Sequence, residues 1–423
     1  MVQSQTTVQH AAFLVLRRRA SILGRQAAVA ALTVALAACN GVGSSPTESV
    51  LYSFGTGNNG KYPNGGLVMD ASGNLYGTTS FGGTYNKGTV FKITPSGVES
   101  VLYSFGPDND EHWPNGGLVM DASGNLYGTT AKGGTYNKGT VFKITPSGVE
   151  SVLYSFGNGN NEKYPNGGLL MDASGNLYGT TERGGTNNFG TVFKITSSGV
   201  ESVLHSFGKG NDGVLPNGGM LMDASGTLYG TTSVGGTVNS GTVFKITPSG
   251  VESVLHSFGT GNDGQQPNGG LVMGASSTLY GTTGSGGTDD QGTVFKITPS
   301  GIESVLHSFG TGNDGHDPNG GLVMDASGNL YGTTVFGGKR GGRGIIADLL
   351  RLVFVGRRFP GLGTVFKITP SGTESVLYFF SSAHKYEQSP NGGLVMDASG
   401  NLYGTTPGVY GTVFKLRNGH RKP

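Results

Sequence analysis

The sequence predicts an all-β fold, a seven-bladed β-propeller of four-stranded blades. Three observations lead to it: one sequence unit occurs seven times, each unit contains four short strand-like segments, and the two ends of the repeat region complement each other. Repeats of roughly 50 residues are typical of propellers rather than of short helical solenoids. We therefore expect one ring-shaped domain, although a length of 423 residues would by itself suggest two or three domains.

The repeat is clearest at a Pro-Asn-Gly-Gly element. Its proline recurs every 51 residues in the first six units, and an insertion delays the seventh copy to 72 residues. The seven prolines are Pro63, Pro114, Pro165, Pro216, Pro267, Pro318 and Pro390.

Each unit contains four segments rich in β-branched and aromatic residues, which in the first unit are residues 64–70, 74–80, 88–94 and 98–105. Two of the connections match type I turns, Asp-Ala-Ser-Gly at 70–73 and Thr-Pro-Ser-Gly at 94–97. The turn explains the recurring aspartate without a metal ion.

The ends of the repeat region indicate how the ring closes. Residues 48–54 read as a fourth strand with no preceding three, and residues 411–416 read as a third strand with no fourth. We expect the N-terminal strand to complete the last blade, residues 391–416, so that no open edge is left. An open solenoid is the alternative, but it would normally carry distinct capping units.

The repeat resembles a known family. The segments Gly66–Thr79 (GLVMDASGNLYGTT) and Gly88–Ile93 (GTVFKI) are similar to the GloVer tandem repeats of bacterial envelope proteins, and the resemblance extends over residues 48–416. It implies export, a propeller-like fold and an anchoring device that differs between members. It implies no established activity, so no functional residue is carried over.

The N-terminus reads as an export signal at residues 1–38, with arginines before an apolar run at 27–38 that is too short to cross a bilayer. The run ends in Leu36-Ala37-Ala38-Cys39, which resembles a lipobox. We expect a lipid on Cys39 that tethers the protein to the membrane. Asn40 would favour delivery to the outer membrane, and residues 39–47 would form the tether. The alternative is an ordinary cleaved signal followed by a chance cysteine.

Composition excludes some functions. Cys39 is the single cysteine, so no disulfide can form within one chain. Beyond the signal, 24 basic residues face 26 acidic ones, which argues against a nucleic-acid partner. We expect a monomer without a cofactor. Calcium could bind the acidic loop 108–111, although a solvated loop is the favoured interpretation.

Two connections vary between units, the one from each fourth strand to the next unit and the one between second and third strands. They emerge on the same face of an up-and-down blade, and varied loops on a rigid frame are typical of binding surfaces. The candidate binding residues are Tyr62, His112, Trp113, Tyr164, Arg183, Asp289 and Asp290. Simple drift of long loops is the alternative.

Two internal residue sets have competing interpretations. Asn64 and its six equivalents could ring the channel mouth, but we favour Asx caps on their own turns. His205, His256 and His307 replace a tyrosine of the fourth strand, which fits strand register better than catalysis.

The insertion at 339–362 is basic, and its apolar residues share one helical face. It could touch anionic lipid or a partner, or be a tolerated insertion without a role. Residues 417–423 form a C-terminal tail.

The functional hypothesis is an envelope-anchored scaffold, not an enzyme, that binds protein or glycan through the varied loops. We expect it at the outer membrane or cell surface of a bacterium, or otherwise secreted. The alternatives are a propeller enzyme of lyase or lactonase type and a structural envelope protein without a ligand. Nearly identical inner strands disfavour catalysis, which needs unlike groups at one place.

Overall fold

The computed structural model describes residues 47–55, 58–106, 112–158, 163–310, 313–338, 362–380 and 389–417. They all belong to one compact unit, Pro46–Asn418. The predicted signal peptide, Cys39, nearly all of the insertion and the tail after Arg417 lie outside these residues. No helix among the described residues is long and apolar enough to cross a bilayer.

The described residues form seven antiparallel sheets arranged as the blades of a propeller, which confirms the predicted fold. We number the blades 1–7 in chain order. The second strands are Leu75–Gly82, Leu126–Lys132, Leu177–Arg183, Leu228–Gly235, Leu279–Gly286, Leu330–Phe336 and Leu402–Thr406. The third strands are Thr89–Ile93, Thr140–Ile144, Thr191–Ile195, Thr242–Ile246, Thr293–Ile297, Thr364–Ile368 and Thr412–Arg417. The outer strands are Glu99–Ser104, Glu150–Ser155, Glu201–Ser206, Glu252–Ser257, Glu303–Ser308, Glu374–Phe379 and, from the N-terminus, Thr47–Ser53.

The inner strands begin earlier than the sequence pattern predicts. In blades 3 and 4 they are continuous, Lys163–Met171 and Gly213–Met222. In the other blades they appear in pieces: Gly60–Pro63 with Val68–Met69, His112–Pro114 with Val119–Met120, Gly264–Pro267 with Val272–Met273, His316–Pro318 with Val323–Met324, and Val395–Met396. The predicted start at Asn64 was wrong because the second strands run on past residue 80 and supply partners for residues placed in loops.

The ring closes as predicted. Thr47–Ser53 pairs antiparallel with Thr412–Arg417, with Glu48 opposite Leu416 and Val50 opposite Phe414. The amide of Phe54 donates to the carbonyl oxygen of Gly411 at 3.0 Å. The first and last strands of the domain are therefore neighbours in one sheet.

The core lies between blades rather than within them. At each of the seven interfaces a phenylalanine following an outer strand meets the third-strand phenylalanine of the next blade, with ring centroids 5.0–5.2 Å apart. Phe54 and Phe91 form this pair across the closing interface and are 3% and 0% exposed. Burial of such large side chains between blades joins seven sheets into one cooperative body.

The uniform face carries the tight turns. Asp70 Oδ1 accepts hydrogen bonds from the amides of Ser72 and Asn74, and Asp70 Oδ2 accepts one from the Tyr76 hydroxyl. Blade 5 has Gly274 at this position and forms a short 3₁₀ turn instead, with Ser276 in the left-handed region at φ 56°. The recurring aspartate is thus a turn residue, as the pattern predicts.

Candidate functional site

The opposite face, which we call the varied face, is organised by seven residues that each precede the repeated proline. All seven have φ between 54° and 60° although none is glycine. These residues, named here the pre-proline ring, are Tyr62, Trp113, Tyr164, Leu215, Gln266, Asp317 and Ser389. A left-handed backbone before proline is strained for such side chains, so the surrounding structure must impose it.

Hydrogen bonds between blades impose this backbone. The amide of each ring residue donates a hydrogen bond to a backbone carbonyl of the preceding blade at 2.8–3.2 Å. The accepting residue lies two positions before the third strand of that blade. Tyr62 donates to Tyr410 across the closing interface, and Trp113 donates to Lys87. The seven positions share one backbone geometry while their side chains range from tryptophan to serine. The backbone is therefore the same at these seven positions, while the size, polarity and charge of the side chains differ.

Aromatic residues of blades 1 and 2 form a continuous row on this face. Phe81 contacts Tyr62 edge-on at 5.8 Å and Trp113 at 6.2 Å between ring centroids. The side chains remain 40% (Tyr62), 37% (Phe81) and 37% (Trp113) exposed. We call this the aromatic row; a contiguous exposed aromatic surface of this kind is typical of binding sites.

Lysine ammonium groups lie beside the aromatic rings. Lys132 Nζ is 4.6 Å from the Trp113 ring centroid, and Lys138 Nζ is 6.0 Å from that of Tyr164. These distances fit cation–π contacts, which hold a cation beside an exposed ring without neutralising it. Trp113 of blade 2 and Tyr164 of blade 3 thus each have a lysine ammonium group beside the aromatic ring.

Two cations face each other where blade 3 meets this surface. Lys163 of the inner strand is the register partner of Arg183 at the end of the second strand. Like charges directly opposite in a sheet are unfavourable. Glu182 lies 3.7 Å from the Arg183 guanidinium, and both side chains are more than two-fifths exposed, so this contact screens the pair only weakly.

The structure separates the other predicted site residues. Asp289 and Asp290 lie in the connection between second and third strands of blade 5. The Asp290 carboxylate accepts the amide of Gly286 at 2.9 Å, which is a turn role. His112 lies in the inner strand of blade 2, opposite Lys132. Tyr62 and Trp113 meet around Phe81, and Tyr164 adjoins the Lys163–Arg183 pair.

The asparagines form a belt whose side chains are hydrogen-bonded between blades at five interfaces, so the favoured interpretation as separate turn caps was wrong. Side-chain amide groups of successive blades donate to one another, as from Asn64 to Asn115 at 3.3 Å and from Asn115 to Asn166 at 3.2 Å. The same contact joins blades 3 to 4, 4 to 5 and 6 to 7. These contacts exist because the ring brings asparagines 51 positions apart into hydrogen-bonding distance. Asn217 also makes a local contact, since its side-chain oxygen accepts a hydrogen bond from the amide of Gly218.

The three histidines each bind an aspartate. Nε2 of His205, His256 and His307 lies 3.2 Å from a carboxylate oxygen of Asp212, Asp263 and Asp314. The same carboxylates accept loop amides, as Asp263 does from Gly259 at 2.9 Å. Each pair fastens the loop between two blades to the outer strand, a role that fits the register interpretation.

A cavity of about 540 Å³ opens beside one of these pairs, at the interface of blades 4 and 5. His256, Asp263, Glu303 and Ser308 contribute to its wall. Burial and the charge of Asp263 raise the pKa of Glu303 to about 7. The Glu303 carboxyl is therefore partly protonated near neutral pH.

Within the described residues, no group of three or more His, Cys, Asp or Glu has an arrangement that would hold a metal ion. The sequence reasoning did not recognise two positions of the repeat that contribute to the varied face. The residue before each repeated proline defines the whole pre-proline ring, and Lys132 stands one repeat of 51 residues after Phe81. Comparing equivalent positions across units would have found both.

Comparison with protein families gives one match. The model described as the Gloeobacter/Verrucomicrobia repeat matches residues 42–223 and 202–349, which is more than half of the chain. No curated protein sequence matches the chain.

Solved structures share the fold at low sequence identity. Virginiamycin B lyase from Staphylococcus aureus is 15% identical, with a TM-score of 0.58, covering 88% of this chain and 99% of the lyase. The extracellular domain of a one-component system from B. thetaiotaomicron is 10% identical, with a TM-score of 0.54, covering 88% of this chain and 40% of that one. Identities this low show a common propeller and carry no activity across.

Proposed function

Since the chain belongs to the Gloeobacter/Verrucomicrobia repeat family, we propose that it is a binding scaffold of the cell envelope rather than an enzyme. The ligand contacts the varied face, and the pre-proline ring determines which ligand is bound. The propeller serves as the constant frame that holds the ring side chains in place.

The observation that carries this proposal is the contrast within the ring. Seven strained backbone positions are held alike by hydrogen bonds between blades, yet their side chains differ in size, polarity and charge. Strain kept at equivalent positions suggests a functional site. A rigid backbone also lowers the entropic cost of binding, because the contacting groups are already ordered.

A matched pair of triple variants tests the scaffold. Tyr62→Asn, Trp113→Asn and Tyr164→Asn together remove the aromatic ring members, and asparagine tolerates the left-handed backbone. We expect at least about a tenfold loss of affinity for envelope ligands, since buried aromatic anchors each contribute about 2 kcal/mol or more. Binding is measured on immobilised protein against envelope polysaccharides and envelope protein extracts.

The control triple is Leu215→Asn, Gln266→Asn and Asp317→Asn, at equivalent positions of blades 4–6. Both triples should melt within a few degrees of the wild type. A ligand whose binding survives both triples would refute the ring as the recognition surface.

The anchoring device of the scaffold is proposed to be a lipid on Cys39. The lipobox-like Leu36-Ala37-Ala38-Cys39 supports it, and a lipid would keep the varied face close to envelope ligands. In cells fed an alkyne-tagged fatty acid, the wild-type chain should become labelled and sediment with membranes. Cys39→Ser should lose the label and appear in the soluble fraction. An unlabelled wild-type chain would refute the anchor.

A further inference from the structure

We propose that the aromatic row and the neighbouring cations of blades 2 and 3 bind an acidic polysaccharide whose sugar rings carry carboxylates. This inference rests on the proposed scaffold function and names its ligand class. It assigns the aromatic row to the sugar rings and the cations to the carboxylates.

The row has the form that a glycan chain needs. Tyr62, Phe81 and Trp113 are linked ring to ring across two blades, with centroid steps of 5.8 and 6.2 Å. The apolar C–H face of a pyranose packs on an aromatic ring, and the ring edges leave room for hydroxyl groups. Three linked rings spread over two blades offer more than one packing position, which favours a repeating ligand over a small compact one.

The cations select an acidic chain. Among the described residues, no ion pair joins Lys132, Lys138 or Lys163 to a carboxylate. Lys132 lies against Trp113 and Lys138 against Tyr164. A sugar packed on the row would therefore bring its substituents within reach of ammonium groups.

The Lys163–Arg183 pair gives an independent indication of an anion. Two cations at directly opposed strand positions repel each other. The equivalent pair in blade 4 is Val214 with Val234, and in blade 5 it is Gln265 with Ser285, so the propeller does not require charge there. A carboxylate between the two cations would relieve the repulsion, and an Arg guanidinium can bind it in bidentate fashion.

The other polyanion class is less suited. Nucleic acids need clustered basic surface to match about one phosphate charge per 1.7 Å of duplex. Beyond residue 38 this chain has 24 basic and 26 acidic residues. A uronate polymer has a lower charge density and offers a packing face on every sugar.

The test uses the full exported chain immobilised on a sensor, with polysaccharides of matched size as probes. Alginate and polygalacturonate supply carboxylates, dextran sulfate supplies sulfates, and dextran is neutral. We expect the polyuronates to bind at least about tenfold more tightly than dextran, with affinity falling as salt rises. Trp113→Asn and Arg183→Ser should each weaken polyuronate binding about tenfold, and Trp113→Phe should retain it.

The controls are Val251→Asn, an exposed residue that follows a tight turn of the uniform face, and Lys209→Ser, which removes a cation from the connection between blades 3 and 4. Neither should change binding. Polyuronate binding that is indifferent to Trp113, or dextran sulfate bound equally well by every variant, would mean simple ion exchange and overturn the inference. A different result would separate the two proposals. If only neutral glycans or proteins bind, and the Tyr62→Asn, Trp113→Asn, Tyr164→Asn triple abolishes that binding, the scaffold function is supported and the acidic ligand is refuted.

Discussion

A chain that begins at Gly55 instead of Thr47 should lose more than about 4 kcal/mol of unfolding free energy and give little soluble monomer. The deletion removes Phe54, which is 3% exposed at the closing interface. Truncating one buried phenylalanine already costs about 3–5 kcal/mol. The deletion also removes the whole ladder between Thr47–Ser53 and Thr412–Arg417. Because domains are stable by only about 5–15 kcal/mol, this single strand decides whether the ring persists.

Thermal melting and size-exclusion chromatography measure the effect, with a chain that begins at Thr47 as the matched control. The control should melt like the full chain. A peptide of residues 48–54 added to the deleted protein should restore part of its stability, because the unpaired edge of the third strand accepts it. If the two truncated chains melt within about 2 °C of each other, closure by the N-terminal strand contributes little to the stability of the ring.

Gly65→Ala and Gly66→Ala should have opposite outcomes although the two glycines are adjacent. A methyl group at Gly65 would lie 2.5 Å from the Gly116 carbonyl oxygen, on a backbone with φ of +100°. Backbone strain and overpacking together should cost about 3 kcal/mol. A methyl group at Gly66 would have its nearest neighbour 3.9 Å away, with no left-handed φ. That substitution should be neutral or stabilise by up to about 1 kcal/mol.

Blade 2 supplies a replicate of this comparison. Gly116 has φ of +90° and a methyl group there would lie 2.2 Å from the Gly167 oxygen, whereas at Gly117 the nearest atom would be 3.5 Å away. Urea unfolding of the four variants measures the difference. Equal losses of unfolding free energy in Gly65→Ala and Gly66→Ala would contradict the different surroundings of the two glycines. Neutral behaviour of Gly66→Ala and Gly117→Ala would mean that the fold does not require glycine at these two positions.

Much of the fold follows from periodicity. The strand bounds were predicted within a few residues for the second, third and outer strands, because tight turns with Asp, Pro and Gly mark their ends. The inner strands were misplaced because their first residues pair with a neighbouring strand that looks variable in sequence. Local propensity cannot show such a pairing.

The site was only partly predictable. Tyr62, Trp113 and Tyr164 were predicted as candidate binding residues in the varied loops. They lie on the varied face, held in inner strands by hydrogen bonds between blades. Phe81 and Lys132 complete that surface; comparison of the repeats shows that they are equivalent positions, but only the ring shows that both contact Trp113. Asp290 attracted attention by its charge, but its carboxylate binds a turn amide.

The sequence by itself determined the number of blades, the strand that closes the ring and the split between a uniform and a varied face. These properties follow from counting copies, since identical units must adopt nearly identical structures and stack. The tertiary structure decided how residues of different units combine. Asparagines 51 positions apart form a belt, two adjacent glycines acquire different roles, and aromatic residues of two blades become one surface. The physical reason is that each of these contacts crosses a blade interface, where distance in space is set by the ring and is not encoded in any single repeat.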